Sequence, residues 1–526
     1  MSAWSPEQRF ERIGLALAVL VCAVLAWPLR HYVTDDTFIH LQYAQHLAHG
    51  QGFVFNPGER VYGSTSPLWV LLLADGIAMG LDGLLVSKIL GALATLVALG
   101  LWWRLVHRTI GSPWLRVMST LAWATHAWMS RWSLSGMETP VAVALVLGGF
   151  VAFTASTPWG ARPRLASLLW ALAALARPEC LLLLMLWAAL LVAERGWRAG
   201  LVCGLRGLWP AAAVYGGWLA FARGYFGTFW PNTLAAKVAG GEGLAYQLEQ
   251  LTRQGGIVAA TDGVMVLVLV VALGVTAFRG ARPRLQPAVR LLPWAWLVAV
   301  PLLYAVRGVP VLSRYLVPLL AVLGWLAWRA LDRAFGSPAA RLADRADSGA
   351  VVLQRARLAL LVGTVVAVLA MAQNIYVWQR VVRPQVESFS DGMRASLIPW
   401  GRWFDLNAQP DAVIAAPDIG ALGYYGQRRV VDLAGLVTPD MVPILRRLSP
   451  EEAVSRFEFA KFSRPDFLVD RASRAWDLQL RSPWSVALVP LGQASLPNLG
   501  VARPGAAVYS FYRIDWAAYD SLAASR

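Results

Sequence analysis

The stretch IGLALAVLVCAVLAWPLRHYVTDDTFIHLQYA, residues 13–44, sets an apolar run long enough to enter a bilayer directly against two adjacent carboxylates, Asp35 and Asp36. Lipid repels charge, so an acidic pair at such an edge needs a reason. What surrounds it indicates what that reason is.

The composition places the chain in a membrane. Of its 526 residues 57% are hydrophobic and only 15% charged, and the mean hydropathy is +0.51. Such values lie outside the range of soluble domains. Apolar runs recur near 13–30, 67–106, 114–132, 138–156, 165–177, 179–194, 200–222, 256–278, 289–306, 312–331 and 356–379. The net charge of +16 could point to nucleic acid, but the Lys and Arg residues lie in short loops between the runs rather than on one polar segment. This is an orientation signal, and it excludes a nucleic-acid partner. Segment 67–106 is interrupted by AMGLDGL at 78–84. Counted as one net crossing, it puts Arg104, Arg108, Arg162, Arg195 and the later basic loops on the side of the N-terminus, as the positive-inside rule requires. The expectation is about 11 transmembrane helices, N-terminus inside and C-terminus outside, with residues 1–383 forming the membrane part. The first helix is read as retained, since no small-residue cleavage site follows it. Cys22, Cys180 and Cys203 all lie in apolar runs and offer no disulfide framework or metal motif.

Residues 384–526 read differently. Short apolar runs at 411–416, 428–435, 465–470, 484–492 and 506–514, bounded by turn residues, predict strands with helices such as PEEAVSRFEFAKF between them. The expectation is an extracytoplasmic mixed α/β domain. DIGALGYYG at 418–426 has glycines three apart after a strand, but neither GxGxxG spacing nor a following Lys-Ser/Thr pair. It therefore reads as a strand-to-helix turn rather than a nucleotide loop.

On this topology the outward face holds 31–66, the turns SRWSLSGMETP (130–140) and ARPE (176–179), the segment 224–254 with a short polar helix, and RGVPVLSRY (307–315). The stretch HLQYAQHLAHG, residues 40–50, predicts a short helix that ends at Gly50 and lies at the membrane interface on the apolar positions Phe38, Ile39, Leu41, Tyr43 and Leu47. Thr34 or one aspartate can cap it, which leaves at least one carboxylate unexplained. Paired carboxylates at a partly desolvated site can hold one pKa near neutrality and act as a base, or can bind a metal. His31, His40, His46 and His49 lie nearby without metal-ligand spacing. No cofactor is expected, and a divalent metal has no support in the pattern. Arg131, Arg177, Lys237, Arg307 and Arg314 are basic on the face where orientation does not require it, which makes them anion-binding candidates; the bland alternative is snorkelling to lipid headgroups. The 26 Trp read mostly as interface anchors, with Trp69 and Trp230 as possible sugar platforms.

Taken in order, TDDTFIHLQYAQHLAHGQGFVFNPGERVYGSTSPLW, SGMETP, ALARPE, YFGTFWPNTLAAK, SRYLVP and DIGALGYYGQRRVVDLAGLVTP resemble the GT-C superfamily of polyprenyl-phosphate-sugar glycosyltransferases. Within it they resemble the family that includes the mycobacterial terminal β-arabinofuranosyltransferase. One departure is Gln42, where relatives are expected to carry Arg. The resemblance implies an inverting transferase in the bacterial inner (plasma) membrane, moving a sugar, arabinofuranose by this likeness, from a polyprenyl-phosphate donor to a cell-envelope glycan. It implies Asp35 as base with Asp36 orienting it, and Lys237, Arg177 and Arg314 on the donor phosphate. Glu138, Glu179, Asn232, Asn56 and Tyr43 become candidates for sugar or acceptor binding. Ion pairing to Arg177 is the simpler reading of Glu179, and a turn role the simpler reading of the two asparagines. The alternatives are a mannosyl- or aminosugar-type transferase acting on protein or lipid, a transporter, or a scaffold without catalysis. A transporter would show an internal repeat and mid-membrane charges, and neither is evident.

Overall fold

The computed structural model describes residues 4–154, 162–233, 243–278, 288–335, 349–498 and 505–525. Helix α1 (Pro6–Ala26) starts at a capping box between Ser5 and Gln8 and turns Ile13, Leu17, Leu20 and Val24 outward, as a lipid-facing helix does. Helix α2 (Asp35–Ala48) follows, then α3 (Pro67–Ala78) and α4 (Gly83–Thr109). The break between α3 and α4 falls at Gly80, whose φ of +82° ends the first helix, and Asp82 caps the second through Leu85 N (2.8 Å). At 12 residues α3 is about 18 Å long, well short of the hydrocarbon core.

The body continues through α5 (Pro113–Ala124), α6 (Ala127–Ser133), α7 (Thr139–Phe153), α8 (Pro163–Ala176), α9 (Leu181–Arg195) and α10 (Trp197–Phe226). It ends with α11 (Leu244–Phe278), α12 (Leu292–Val306), α13 (Ser313–Phe335) and α14 (Gly349–Val377). By length and composition, five helical segments among the described residues are able to cross a membrane: Pro6–Leu29, α4, α11, α13 and Arg357–Asn407. Helices α3, α7, α8 and α12 are apolar but shorter.

Three expectations meet the structure here. Of the segment 224–254, expected to hold a short polar helix, residues 234–242 lie outside the described residues. Residues 244–255 run without a break into the following apolar segment as α11, with Gln250 and Gln254 buried and the exposed Gly255 and Gly256 inside the helix. The apolar positions of α2 are covered by protein rather than left for a lipid surface: residues 37–44 are buried without interruption, and the helix packs between α3 and the C-terminal region. Several tryptophans fill the interior rather than a boundary. Trp69, Trp102, Trp170, Trp296, Trp325 and Trp328 are all but inaccessible, and Trp170 meets Trp187 edge to face at 5.5 Å.

Helices α15 (Arg383–Ala395) and α16 (Leu397–Asn407) lead into a five-stranded sheet of order β2-β1-β3-β5-β4. The strands are β1 (Val413–Ala416), β2 (Arg429–Asp432), β3 (Phe467–Ala472), β4 (Leu488–Leu496) and β5 (Ala507–Ile514). β1 runs parallel to β2 and β3, while β5 is antiparallel to β3 and β4. All five expected strands form. The short helix α17 (Gly420–Gly426) follows β1 and packs on α2. One core joins the two regions: Phe38, Tyr43 and Trp69 share it with Ile414, Leu422 and Phe511, and Phe38 meets Tyr425 at 5.3 Å.

Candidate active site

The chain enters α2 through Thr34, whose hydroxyl accepts from Thr37 N (3.2 Å) while the Thr37 hydroxyl accepts from Thr34 N (3.3 Å). The cap is complete without either aspartate, and both carboxylates in the first turn have partners elsewhere. Asp35 points into the C-terminal region. Its Oδ2 accepts from Gly420 N and its Oδ1 from Ala421 N, both at 2.8 Å. Only glycine fits at 420, since a Cβ there would sit 1.9 Å from the Asp35 carbonyl oxygen. Burial, and then the charge of Asp418, push the Asp35 carboxyl up to about 7, against the two amide bonds that favour its ionised form. Asp36 turns the other way and is ion-paired with Arg314 at the start of α13.

A second set of charges lies beside this pair. Arg177, at the end of α8, donates through Nη1 to Glu138 Oε1 and through Nε to Glu179 Oε1, each at 2.5 Å, and its guanidinium lies 4.6 Å from the centre of the Tyr315 ring. His40 Nε2 is 3.7 Å from Glu138 Oε2. Burial works against the Glu138 carboxylate, but the charges of Arg177, His40 and Arg314 more than offset it and hold the carboxyl below its ordinary value. All of these side chains are nearly inaccessible, and each buried charge has an opposite one.

Two cavities meet here. One of about 60 Å³ is bordered by Asp36, His40, Glu138, Arg177 and Arg314. The other, of about 450 Å³, is bordered by Asp35, Asp36, Arg131, Arg314, Asp418 and Arg471, among others. Asp36, Arg314, Tyr315 and Leu436 border both. Carboxylates thus face guanidinium groups across a space large enough for a sugar phosphate, an arrangement that can take a proton from one group while receiving negative charge from another.

The sequence candidates divide. Asp35, Asp36, Arg177, Arg314, Glu138 and Glu179 come together. Both acids of the second set pair with Arg177. Lys237 lies outside the described residues. Asn56 is spent on structure: its Nδ2 donates to Val430 O (2.9 Å) and its Oδ1 accepts from Val430 N (3.0 Å), pinning loop 51–66 to β2. Asn232 Nδ2 donates to Gly435 O (2.5 Å) and Leu436 O (3.2 Å). The Tyr43 hydroxyl donates to Val61 O and accepts from Gly63 N, both at 3.1 Å, in the core. Trp69 is buried with its indole N–H on Gly136 O, whereas Trp230 is exposed beside a separate cavity of about 770 Å³. Gln42 is buried, with Nε2 3.5 Å from Phe55 O. The histidines do not converge, and among the described residues no three His, Cys, Asp or Glu side chains are grouped to hold a metal.

Sequence reasoning missed His40 as a partner of Glu138, and missed the C-terminal contribution altogether. Asp418 accepts from Arg471 Nη1 (2.8 and 2.6 Å) and from the Tyr509 hydroxyl (2.7 Å). Asp432 is buried, and that pushes its carboxyl up to about 6 although it accepts from Ala434 N and Val437 N. It shapes the loop that carries Leu436 into both cavities. The signal that could have revealed this was DIGALGYYG, whose first glycine serves a close approach.

Comparison with known proteins fits this picture. Residues 385–512 match a family described as a domain of unknown function (DUF8728). The chain is 31% identical over 261 residues to the terminal beta-(1->2)-arabinofuranosyltransferase of Mycobacterium tuberculosis, covering 44% of this chain and 39% of that one. It is 29% identical over 279 residues to the protein of the same name from Corynebacterium glutamicum, covering 45% and 38%. The chain therefore spans about two fifths of the length of the curated relatives it matches. Among solved structures it resembles ArnT from Cupriavidus metallidurans bound to undecaprenyl phosphate (TM-score 0.53, 16% identity, 95% of this chain and 97% of that one). It also resembles the oligosaccharyltransferase AglB from Archaeoglobus fulgidus in complex with an inhibitory peptide and a dolichol-phosphate (0.57, 12%, 97% and 75%) and the arabinofuranosyltransferase AftD from Mycobacteria (0.51, 17%, 97% and 40%). The chain has the GT-C fold that its sequence motifs resemble.

Proposed function

We propose that the protein is a polyprenyl-phosphate-sugar-dependent glycosyltransferase that moves arabinofuranose onto a cell-envelope glycan at the outer face of the bacterial inner membrane. The observation that carries this reading is the 450 Å³ cavity in which Asp35 and Asp36 face Arg131 and Arg314. The similarity to named arabinofuranosyltransferases supports the choice of sugar. The solved relatives bound to undecaprenyl phosphate and dolichol-phosphate support a polyprenyl phosphate as carrier. The charge pattern of the loops supports eleven net crossings, with the site and the C-terminal domain outside.

In the proposed reaction Asp35 takes the proton of the acceptor hydroxyl as its oxygen attacks the anomeric carbon. The bond from that carbon to the phosphate oxygen breaks, and its electron pair leaves with the polyprenyl phosphate. Arg314 and Arg131 offset the charge that develops there, while Asp36 holds Arg314 in place. A carboxyl raised to about 7 is ionised in part at neutral pH and basic enough to assist. A single displacement inverts the anomeric carbon.

The test supplies proteoliposomes of the full chain with a panel of polyprenyl-phospho-sugars and a glycan acceptor, and determines the anomeric configuration of the product by NMR. Transfer of arabinofuranose with inversion is expected. Transfer of a different sugar alone overturns the donor assignment, retention overturns the single displacement, and absence of transfer overturns the reading.

A further inference from the structure

The base proposed above is held by the C-terminal region. Gly420 N and Ala421 N bond to the two oxygens of Asp35, and both amides belong to the segment that begins at Asp418. Asp418 is itself fixed from the sheet. Arg471 on β3 and Tyr509 on β5 stand directly opposite each other in the antiparallel register, so their side chains share a face, and both bond to the Asp418 carboxylate. Asp35, Asp418, Arg471 and Tyr509 all border the same cavity. The cross-strand pair therefore holds Asp418, and the segment that follows Asp418 holds the base.

We propose that Asp418 is a positioning residue: clamped by Arg471 and Tyr509, it keeps the Gly420 and Ala421 amides on Asp35 and presents a second carboxylate to it, making the C-terminal domain a working part of the catalytic site. This assigns a role to a region that matches a domain of unknown function, and it rests on the glycosyl-transfer reading. The charged groups around Asp35 are Asp36 on its own helix, Arg314 from α13, Arg131 from α6, and Asp418 with Arg471 from the sheet; Arg253 of α11 and the hydroxyls of Tyr32, Tyr315 and Tyr509 border the same space. Of the anionic groups, Asp418 acts on Asp35 more strongly than Asp36 does.

The test compares wild type, Asp418→Asn and Tyr509→Phe as full chains in proteoliposomes, following kcat/KM against pH and measuring amide exchange at residues 418–421 by mass spectrometry. Asp418→Asn removes the charge while keeping the shape. Its acid limb is expected to move to lower pH, raising the rate at pH 6 relative to the plateau roughly threefold, with KM for donor and acceptor unchanged. Tyr509→Phe keeps the charge and loosens the clamp, so kcat is expected to fall at unchanged KM and limb position while exchange at 420–421 rises. If both variants keep the wild-type limb, kcat and exchange, the proposal is overturned. Should wild type transfer no sugar, the functional reading fails on its own. The exchange of Gly420 and Ala421 in Asp35→Ala then decides the clamp: faster exchange than wild type supports it, and unchanged exchange overturns it.

Discussion

Asp35 and Arg177 carry most of the account at the scale of single residues. A carboxyl lifted to about 7 by burial and by Asp418 is protonated below that pH and ionised above it, and only the ionised form accepts a proton. The ratio kcat/KM is therefore expected to rise with pH through about 7 and then level off, which a pH series from 5 to 9 checks. Arg177 tests a different kind of dependence. Removing it in Arg177→Met takes away the guanidinium that both buried acids share, leaving Glu138 only His40 and Arg314 nearby, a loss of about 3–5 kcal/mol that thermal denaturation in detergent would register. A residue that served only the donor phosphate would instead raise the donor KM with little change in melting. The residue types here were readable because carboxylates and arginines at a membrane edge are expensive. Their pairing was only half readable: Glu179 is two residues from Arg177, but Glu138 is 39 residues away and His40 belongs to another element.

Among the elements, α2 and α17 matter most because their contact places the base. The Thr34 cap is expected to contribute about 1 kcal/mol, seen as a lower melting temperature in Thr34→Ala. Gly420→Ala pushes a methyl group into the Asp35 backbone, so it is expected to suppress transfer while circular dichroism of the sheet region stays close to wild type. The five strands were legible because their apolar runs are short and bounded by turn residues, a local signal. The burial of α2 was not legible, since an apolar helix face looks the same whether it meets lipid or protein. The same ambiguity sent the tryptophans to the membrane boundary when many of them fill the interior, and it hid the continuity of α11, whose largely exposed first turns bury Gln250 and Gln254 against protein.

The whole molecule is two regions that share one core and one site. Hydropathy and loop charge led to a helical membrane body with a mixed α/β domain at its C-terminal end, and the ordered motifs led to the GT-C fold. Their joint product was out of reach: Asp35 and Gly420 are 385 residues apart, and no periodicity records a contact of that range. The most direct test is sugar transfer from polyprenyl-phospho-arabinofuranose by proteoliposomes containing either wild type or Asp35→Asn, read as turnover at pH 8. The account predicts turnover by wild type and a loss of at least about a hundredfold in the variant, the scale of a missing general base; transfer by Asp35→Asn at the wild-type rate would contradict it.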